Sequence, residues 1–155
     1  MLYFAYGSNM EWSQMRSRCP SAKFVSAAKL PDFRLAFTRR SKQRSCGVSD
    51  VVADKAESVW GVVYEIADTE IALLDSFEGF RPGRERKENS YVREERHVFR
   101  DGNQKQPLLA SIYLGNPQEN PPLPNEDYKK LLVKGAEQWN LPPDYIKKLE
   151  AIQTG

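Results

Sequence analysis

One apolar run narrows the possible folds of this chain more than any other segment. Residues 59–64 read Val-Trp-Gly-Val-Val-Tyr and contain no charged side chain. β-branched and aromatic residues favour strands, and a strand that is apolar on both faces has to be covered on both faces. We therefore predict a central strand at residues 59–66, with other elements packed on each side of this apolar run.

Shorter apolar blocks predict further strands. They lie at residues 2–6, 24–25, 33–37, 48–53, 91–99 and 108–114. The last two blocks are joined through Asp101-Gly102, a pair that is typical of hairpins, so we expect them to pair antiparallel. The polar residues 38–45 are expected to form a loop.

Helical spacing of apolar residues predicts helices at four places. They are residues 12–19, a segment after a capping Asp68, residues 128–139 and residues 145–152. Many strands with antiparallel joins and few helices indicate an α+β fold, with a mixed, barrel-like β-sheet and flanking α-helices. The length of 155 residues is typical of one domain, so we predict a single domain over residues 1–155.

Charge and composition restrict the partners and the location. The 23 Lys and Arg residues nearly balance the 21 Asp and Glu residues, and a net charge of +2 does not indicate nucleic acid or membrane as a partner. We expect a small-molecule substrate, and the sequence leaves the oligomeric state open, with a homodimer as one alternative. The N-terminal residues do not resemble a signal peptide, and we expect a cytoplasmic protein.

Side chains that bind metals are few. Cys19 and Cys46 are the only cysteines, too few for the disulfide framework of a small secreted domain, although a bond between them stays open. His97 is the only histidine, and it lies among charged residues that indicate a surface position. Because these residues do not form a ligand set at zinc spacing, we do not expect a metal site.

The first predicted strand ends in a loop of small polar residues, Gly7, Ser8 and Asn9, just before the first predicted helix. Backbone N–H groups at a helix start lack partners and carry partial positive charge, so the loop can hold a carboxylate or an oxyanion. A glycine there also allows close approach of an anion to the backbone. The alternative is an ordinary turn in which Ser8 or Asn9 caps the helix.

Glu78 occupies an unfavourable position for a carboxylate. It lies between Phe77 and Gly79 near the predicted end of a helix, where the helix dipole disfavours negative charge and apolar neighbours indicate burial. Such a cost without local compensation indicates a functional site. The alternative is that Glu78 is exposed or pairs with a nearby cation, Arg81, Arg84 or Arg86.

Three tyrosines and one basic segment have two interpretations each. Tyr91, Tyr113 and Tyr128 lie on apolar backgrounds, and they are either core residues or part of a pocket wall. The basic residues 39–44 form either a solvated loop or a lid that attracts an anionic substrate.

Together these segments resemble the γ-glutamyl cyclotransferase family. Residues 3–9, Tyr-Phe-Ala-Tyr-Gly-Ser-Asn, are similar to the signature loop of that family without a departure. Residues 60–64 resemble its central strand, and residues 74–79, Leu-Asp-Ser-Phe-Glu-Gly, resemble the segment with its acid/base glutamate. The resemblance covers nearly the whole chain and includes Tyr91, Tyr113, Tyr128, Gly135-Ala136 and residues 141–145.

The resemblance implies a mixed barrel and an enzyme of glutathione metabolism that uses neither metal nor organic cofactor. Its substrate would be a γ-glutamyl amino acid, whose own α-amine attacks the γ-carbonyl to give 5-oxoproline and the free amino acid. Glu78 would be the catalytic acid/base. The substrate-binding residues would be Tyr6, Gly7, Ser8, Asn9, Tyr113 and Tyr128.

Two segments depart from the family pattern, the basic residues 39–44 and an insert-like segment at residues 80–86. Both are expected to border the substrate, so the identity of the leaving amine stays open. One alternative is a γ-glutamylamine cyclotransferase of the same fold. The other is a non-catalytic module that binds a small molecule or a protein partner.

Overall fold

The structure is a computed structural model that describes residues 1–155. It contains five strands and four α-helices. In chain order these are β1 (Leu2–Ala5), α1 (Trp12–Arg18), β2 (Lys23–Ser41), β3 (Cys46–Glu65), α2 (Ile71–Phe77), β4 (Tyr91–Arg100), β5 (Pro107–Gly115), α3 (Glu126–Gln138) and α4 (Pro143–Glu150).

The strands close into a barrel in the order β1-β3-β2-β4-β5. Neighbouring strands pair antiparallel, except that β1 and β5 pair in parallel and close the barrel. These directions bring the C-terminal ends of β1, β2 and β5 and the N-terminal ends of β3 and β4 to one end of the barrel. The predicted α+β fold, with a mixed, barrel-like sheet and flanking helices, is confirmed.

The apolar run at residues 59–64 forms the central part of the sheet, as predicted. Val62 lies opposite Ala5 of β1 on one side and Ala27 of β2 on the other. Val62, Val63 and Tyr64 have no exposed surface. Both faces of this segment are therefore covered, which explains why it lacks charged side chains.

The second and third strands are longer than the sequence predicts. The strand predictions at residues 24–25 and 33–37 fall within one strand, β2. Those at residues 48–53 and 59–66 fall in β3, which ends one residue earlier than predicted, at Glu65. The predicted loop at residues 38–45 is wrong in its first half, because β2 continues to Ser41.

A bulge between Pro31 and Phe33 explains the difference in β2. Asp32 is the extra residue, and it adopts a φ of 66°. Such a bulge bends a strand without ending its pairing. In the sequence, the Pro31-Asp32 pair resembles a break between two strands.

The helix before Glu78 ends as predicted but begins differently. Gly79 has a φ of 66°, a conformation that favours glycine after a helix. The predicted cap at Asp68 is wrong, because its side chain caps no helix and instead lies exposed, 3.5 Å from the N-terminal ammonium group.

The antiparallel hairpin of β4 and β5, joined through Asp101-Gly102, is confirmed.

The long helix α3 packs against the loop that follows β1. A Cβ atom at Gly135 would lie 2.5 Å from the Met10 carbonyl carbon, so this contact requires glycine. Trp139, just after α3, donates from its indole N–H to the Met10 carbonyl at 2.8 Å, and Tyr64 of β3 donates to the Asn9 carbonyl at 2.9 Å. The loop is thus fixed between the barrel and α3.

Two further findings concern the cysteines and the helices. Cys19 and Cys46 are buried free thiols, so the bond that the sequence left open is absent. Burial raises the pKa of the Cys19 thiol to about 11, which makes it a poor nucleophile at neutral pH.

None of the helices is long and apolar enough to span a membrane.

Candidate active site

A pocket of about 650 Å³ opens at the barrel end where the loop after β1 lies. Its walls come from that loop, the end of α2, the β2–β3 turn and tyrosines of β4, β5 and α3. All seven site residues predicted from the sequence line it: Tyr6, Gly7, Ser8, Asn9, Glu78, Tyr113 and Tyr128. The fold therefore brings together residues that are up to 122 positions apart, from Tyr6 to Tyr128.

The loop after β1 makes a single turn of 3-10 helix over Ser8–Met10. The carbonyls of Gly7 and Ser8 accept from the N–H groups of Met10 and Glu11, each at 3.0 Å, whereas the N–H of Gly7 has no protein acceptor. The alternative that Ser8 or Asn9 caps α1 is wrong. The cap is Glu11, whose carboxylate accepts from the Ser13 N–H at 2.6 Å.

The structure gives a different reason for glycine at position 7 than the one expected. A Cβ atom there would collide with the Ser49 hydroxyl of β3. Gly7 has a φ of −116°, so its backbone does not need glycine's left-handed freedom. The glycine is required because the loop passes close to β3.

Glu78 follows directly after α2 and is half-buried at the pocket wall. Loss of solvation raises its pKa to about 7, and Asp75 adds to the rise, while Arg18 and Arg44 oppose it. The alternative that Glu78 pairs with a cation is wrong, because it makes no salt bridge. Near neutral pH this carboxyl can both accept and release a proton.

The side chain of Asn9 links the loop to Glu78. Its Nδ2 group donates to the Tyr3 hydroxyl at 3.0 Å and to Glu78 Oε1 at 3.4 Å. Its Oδ1 atom accepts from Gln14 at 3.0 Å and from Arg18 at 3.1 Å. Because two donors hold Oδ1, the amide is oriented with its N–H groups towards Glu78.

Sequence reasoning missed the side chains that hold Asn9, since it considered only the backbone of the loop. Gln14 and Arg18 lie four residues apart on α1 and therefore share one face of the helix. A polar and a basic residue at this spacing, just after a loop expected to bind an anion, could have indicated that both side chains contact the loop. Both side chains reach back to the loop.

Tyr113 is held by an ion pair between the buried Asp75 and the half-buried Arg93, which the sequence analysis did not predict. Its hydroxyl donates to Asp75 Oδ1 at 2.6 Å, and Arg93 Nε donates to the same oxygen at 2.9 Å. The Tyr6 hydroxyl donates to the backbone carbonyl of Tyr113 at 2.6 Å. Both tyrosines thus line the pocket with hydroxyls that are already hydrogen-bonded.

Tyr128 and Tyr91 meet at Ser49. The Ser49 N–H donates to the Tyr128 hydroxyl at 3.0 Å, and the two hydroxyls lie 2.7 Å apart. Tyr91 donates to the Ser49 carbonyl at 2.7 Å. The guanidinium of Arg44 lies 5.2 Å from the centre of the Tyr128 ring, so it stacks on this wall of the pocket.

The two segments that depart from the family pattern differ in their position. Residues 39–44 line the pocket, whereas residues 80–86 do not, so the expectation that both border the substrate is wrong for the second segment. Arg84 instead binds Asn89 Oδ1 and the Gly79 carbonyl, which folds that segment on itself. His97 is exposed and lies outside the pocket, as predicted.

Comparison with known proteins shows which family this chain resembles. Residues 58–149 match the model of the AIG2-like family. The chain is 36% identical to a γ-glutamylcyclotransferase of Mus musculus and 33% identical to that of Homo sapiens, in each case over 98% of this chain and 78% of the relative.

Similarity to a solved structure agrees with these matches. A structure described as γ-glutamyl cyclotransferase superimposes with a TM-score of 0.89 at 32% identity, over 100% of this chain and 89% of the other. The matched family model spans more than half of this chain, and the relatives match it almost end to end. The chain belongs to the AIG2-like family of γ-glutamylcyclotransferases.

Proposed function

We propose that this enzyme converts a γ-glutamyl amino acid to 5-oxoproline and the free amino acid, with Glu78 as the acid/base. The observation that carries the proposal is Glu78 itself. It is the only carboxylate that lines the pocket, and its surroundings raise its pKa to about 7. No histidine or cysteine lines the pocket, so Glu78 is the candidate general base of the pocket.

The reaction is intramolecular. Ionised Glu78 takes a proton from the α-ammonium of the substrate, and the free amine attacks the γ-carbonyl carbon. The new C–N bond closes a five-membered ring, and protonated Glu78 gives its proton to the departing nitrogen as the γ-amide C–N bond breaks. The ring nitrogen loses its second proton to give 5-oxoproline, and the released amine takes up a proton to become the ammonium group of the free amino acid. Because the nucleophile and electrophile belong to one molecule, orientation in the pocket supplies much of the rate.

The loop after β1 binds the substrate's charged groups. The N–H groups of Gly7, Ser8 and Asn9 face the γ-glutamyl carboxylate or the oxygen that becomes negative during attack, where fixed dipoles stabilise charge strongly. Arg18 and Arg44, which lower the pKa of Glu78, add positive charge at the same end of the pocket. Tyr6, Tyr113 and Tyr128 form the wall that orients the substrate.

The chemistry requires no metal and no organic cofactor, since one carboxyl group serves both proton transfers. We place the protein in the cytoplasm and in glutathione metabolism. Free thiols such as Cys19 and Cys46 persist in a reducing compartment.

Detection of 5-oxoproline by mass spectrometry tests the proposal. The enzyme is incubated separately with a γ-glutamyl amino acid, a γ-glutamyl amine and glutathione. We expect 5-oxoproline from the γ-glutamyl amino acid. Product from the γ-glutamyl amine alone would instead identify a γ-glutamylamine cyclotransferase, and no product from any of the three would indicate a binding module.

A further inference from the structure

Five cationic side chains line the pocket, and none has an acidic partner. They are Arg18, Arg39, Arg40, Lys42 and Arg44. None of them takes part in an ion pair of the structure. The only carboxylate of the pocket is Glu78, so the pocket carries an excess of at least four positive charges.

The guanidinium groups are held by neutral atoms. Arg39 donates to the Asn116 carbonyl at 2.5 Å, and Arg44 donates to Gln14 Oε1 at 2.8 Å. These acceptors fix the side chains but do not neutralise them. A guanidinium has five N–H donors, so each retains donors for an anionic ligand.

The segment that carries four of these cations is anchored. The Arg40 N–H donates to Gln118 Oε1 at 2.7 Å, the Gln118 N–H donates to the Thr38 carbonyl at 2.9 Å, and Asn125 donates to the Arg44 carbonyl at 3.3 Å. The loop before α3 therefore holds the β2–β3 turn beside the pocket. Cations presented in this way attract charge of one sign at a defined place.

Four of the five cations fall into two groups. Arg18 donates to Asn9 Oδ1 at 3.1 Å, and Arg44 donates at 2.8 Å to Gln14, which donates to the same Asn9 oxygen. Because Asn9 also donates to Glu78, these two cations lie at the reacting end with the γ-glutamyl group. Arg40 and Lys42 are exposed at the β2–β3 turn, on the rim of the pocket. A leaving amine that extends from the reacting end towards solvent meets this rim.

A γ-glutamyl amino acid with a neutral second residue has two carboxylates and one ammonium group. One carboxylate belongs to the γ-glutamyl group at the reacting end, so only the carboxylate of the second residue can reach the rim. Resting on the cyclotransferase function proposed above, we propose that this enzyme prefers substrates that release an acidic amino acid. These are γ-glutamyl dipeptides whose second residue is glutamate or aspartate, with the extra carboxylate bound by Arg40 and Lys42.

Three dipeptides of similar size test the substrate preference: γ-glutamyl-glutamate, γ-glutamyl-glutamine and γ-glutamyl-lysine, each linked through the α-amine. Glutamate and glutamine differ in charge and hardly in shape, so their comparison isolates the charge. We expect kcat/KM to be about 10-fold higher for the glutamate dipeptide than for the glutamine dipeptide, and lowest for the lysine dipeptide. Salt at about 0.5 M should reduce this preference because it screens exposed charges.

A double variant, Arg40→Gln with Lys42→Gln, tests the assignment to the rim. We expect the ratio of kcat/KM between the glutamate and glutamine dipeptides to fall below about 3. The matched control is Arg16→Gln with Lys23→Gln, two exposed cations outside the pocket, which changes the net charge equally. The control should keep the wild-type ratio, and thermal melts should show that both variants are folded.

Each outcome is decisive. If 5-oxoproline forms from all three dipeptides at similar rates, or if the double variant keeps the wild-type ratio, the proposed acid preference is wrong while the cyclotransferase function stands. If 5-oxoproline forms from none of them, both proposals are wrong.

Discussion

The side-chain amide of Asn9 donates to Oε1 of Glu78 at 3.4 Å and so connects the loop after β1 to the end of α2, 69 positions further along the chain. The distance is at the long end for a hydrogen bond, so this contact orients the carboxyl while stabilising its charge only weakly. Glu78 therefore keeps a pKa raised to about 7 by burial. This combination of fixed position and raised pKa is what a proton-transfer group requires.

The pH dependence of kcat/KM should follow the ionisation of Glu78. Only the ionised carboxyl can accept the proton of the α-ammonium, so we expect activity to rise tenfold per pH unit below the midpoint and to level off above it. The midpoint should lie near pH 7, because burial raises the pKa of Glu78 to about 7. The Glu65→Gln variant, which changes an exposed glutamate outside the pocket, should keep the same profile. A midpoint near the ordinary value of a glutamate, about 4.3, would contradict the role of Glu78.

Removing the charge of Glu78 should stabilise the protein in a pH-dependent way. A carboxyl with a raised pKa in the folded state binds protons more tightly than in the unfolded state, so ionisation between about pH 4.5 and 7 costs stability. We expect Glu78→Gln to raise the free energy of unfolding by about 1–3 kcal/mol at pH 8. Below pH 4.5 the variant and the wild type should differ little. Urea titrations of the variant and the wild type at pH 8 and below pH 4.5 measure the difference in the free energy of unfolding. An equal difference under the two conditions would contradict the raised pKa of Glu78.

The close approach of Gly7 and Ser49 can be tested by a double-mutant cycle. Gly7→Ala alone should destabilise by about 1–3 kcal/mol, because the added methyl group collides with the Ser49 hydroxyl. The Ser49→Ala background removes the hydroxyl with which the methyl group collides. In that background we expect Gly7→Ala to lower the free energy of unfolding by at least about 1 kcal/mol less than it does in the wild type. Additive effects in urea denaturation would show that the two residues are not in contact.

The ion pair beneath Tyr113 should be important for stability. Asp75 is 4% exposed and accepts from both Arg93 and Tyr113, so Asp75→Asn should destabilise by about 2–4 kcal/mol. The control is Asp54→Asn, since Asp54 forms an exposed pair with Arg34 at 3.7 Å that should contribute less than about 1 kcal/mol. Similar small losses in both variants would contradict the structural role of Asp75.

Much of the fold could be predicted because local patterns agree with it. The apolar run at residues 59–64 identified the central strand, and the spacing of apolar residues identified α3 and α4. The length of β2 could not be predicted, because a bulge at Asp32 keeps the pairing across a proline that usually ends a strand. The pairing of β2 with β3 determines the length of β2, and no local sequence pattern indicates this pairing.

The site was predictable in part. Glu78 stood out because its position is locally unfavourable, and the loop after β1 stood out because small residues precede a helix. The partners of these residues could not be found, since Asp75, Arg93 and Ser49 act through contacts between distant segments. The raised pKa of Glu78 is likewise a product of burial, which sequence spacing does not determine.

The turnover rate of Glu78→Gln tests the central claim most directly. Glutamine keeps the size and the hydrogen-bonding capacity of the side chain but cannot accept the proton of the α-ammonium. We expect kcat for 5-oxoproline formation to fall about 10²- to 10⁴-fold while a γ-glutamyl ligand still binds, and Glu65→Gln should keep the wild-type rate. If folded Glu78→Gln retains more than roughly a tenth of the wild-type kcat, Glu78 is not the acid/base of this enzyme.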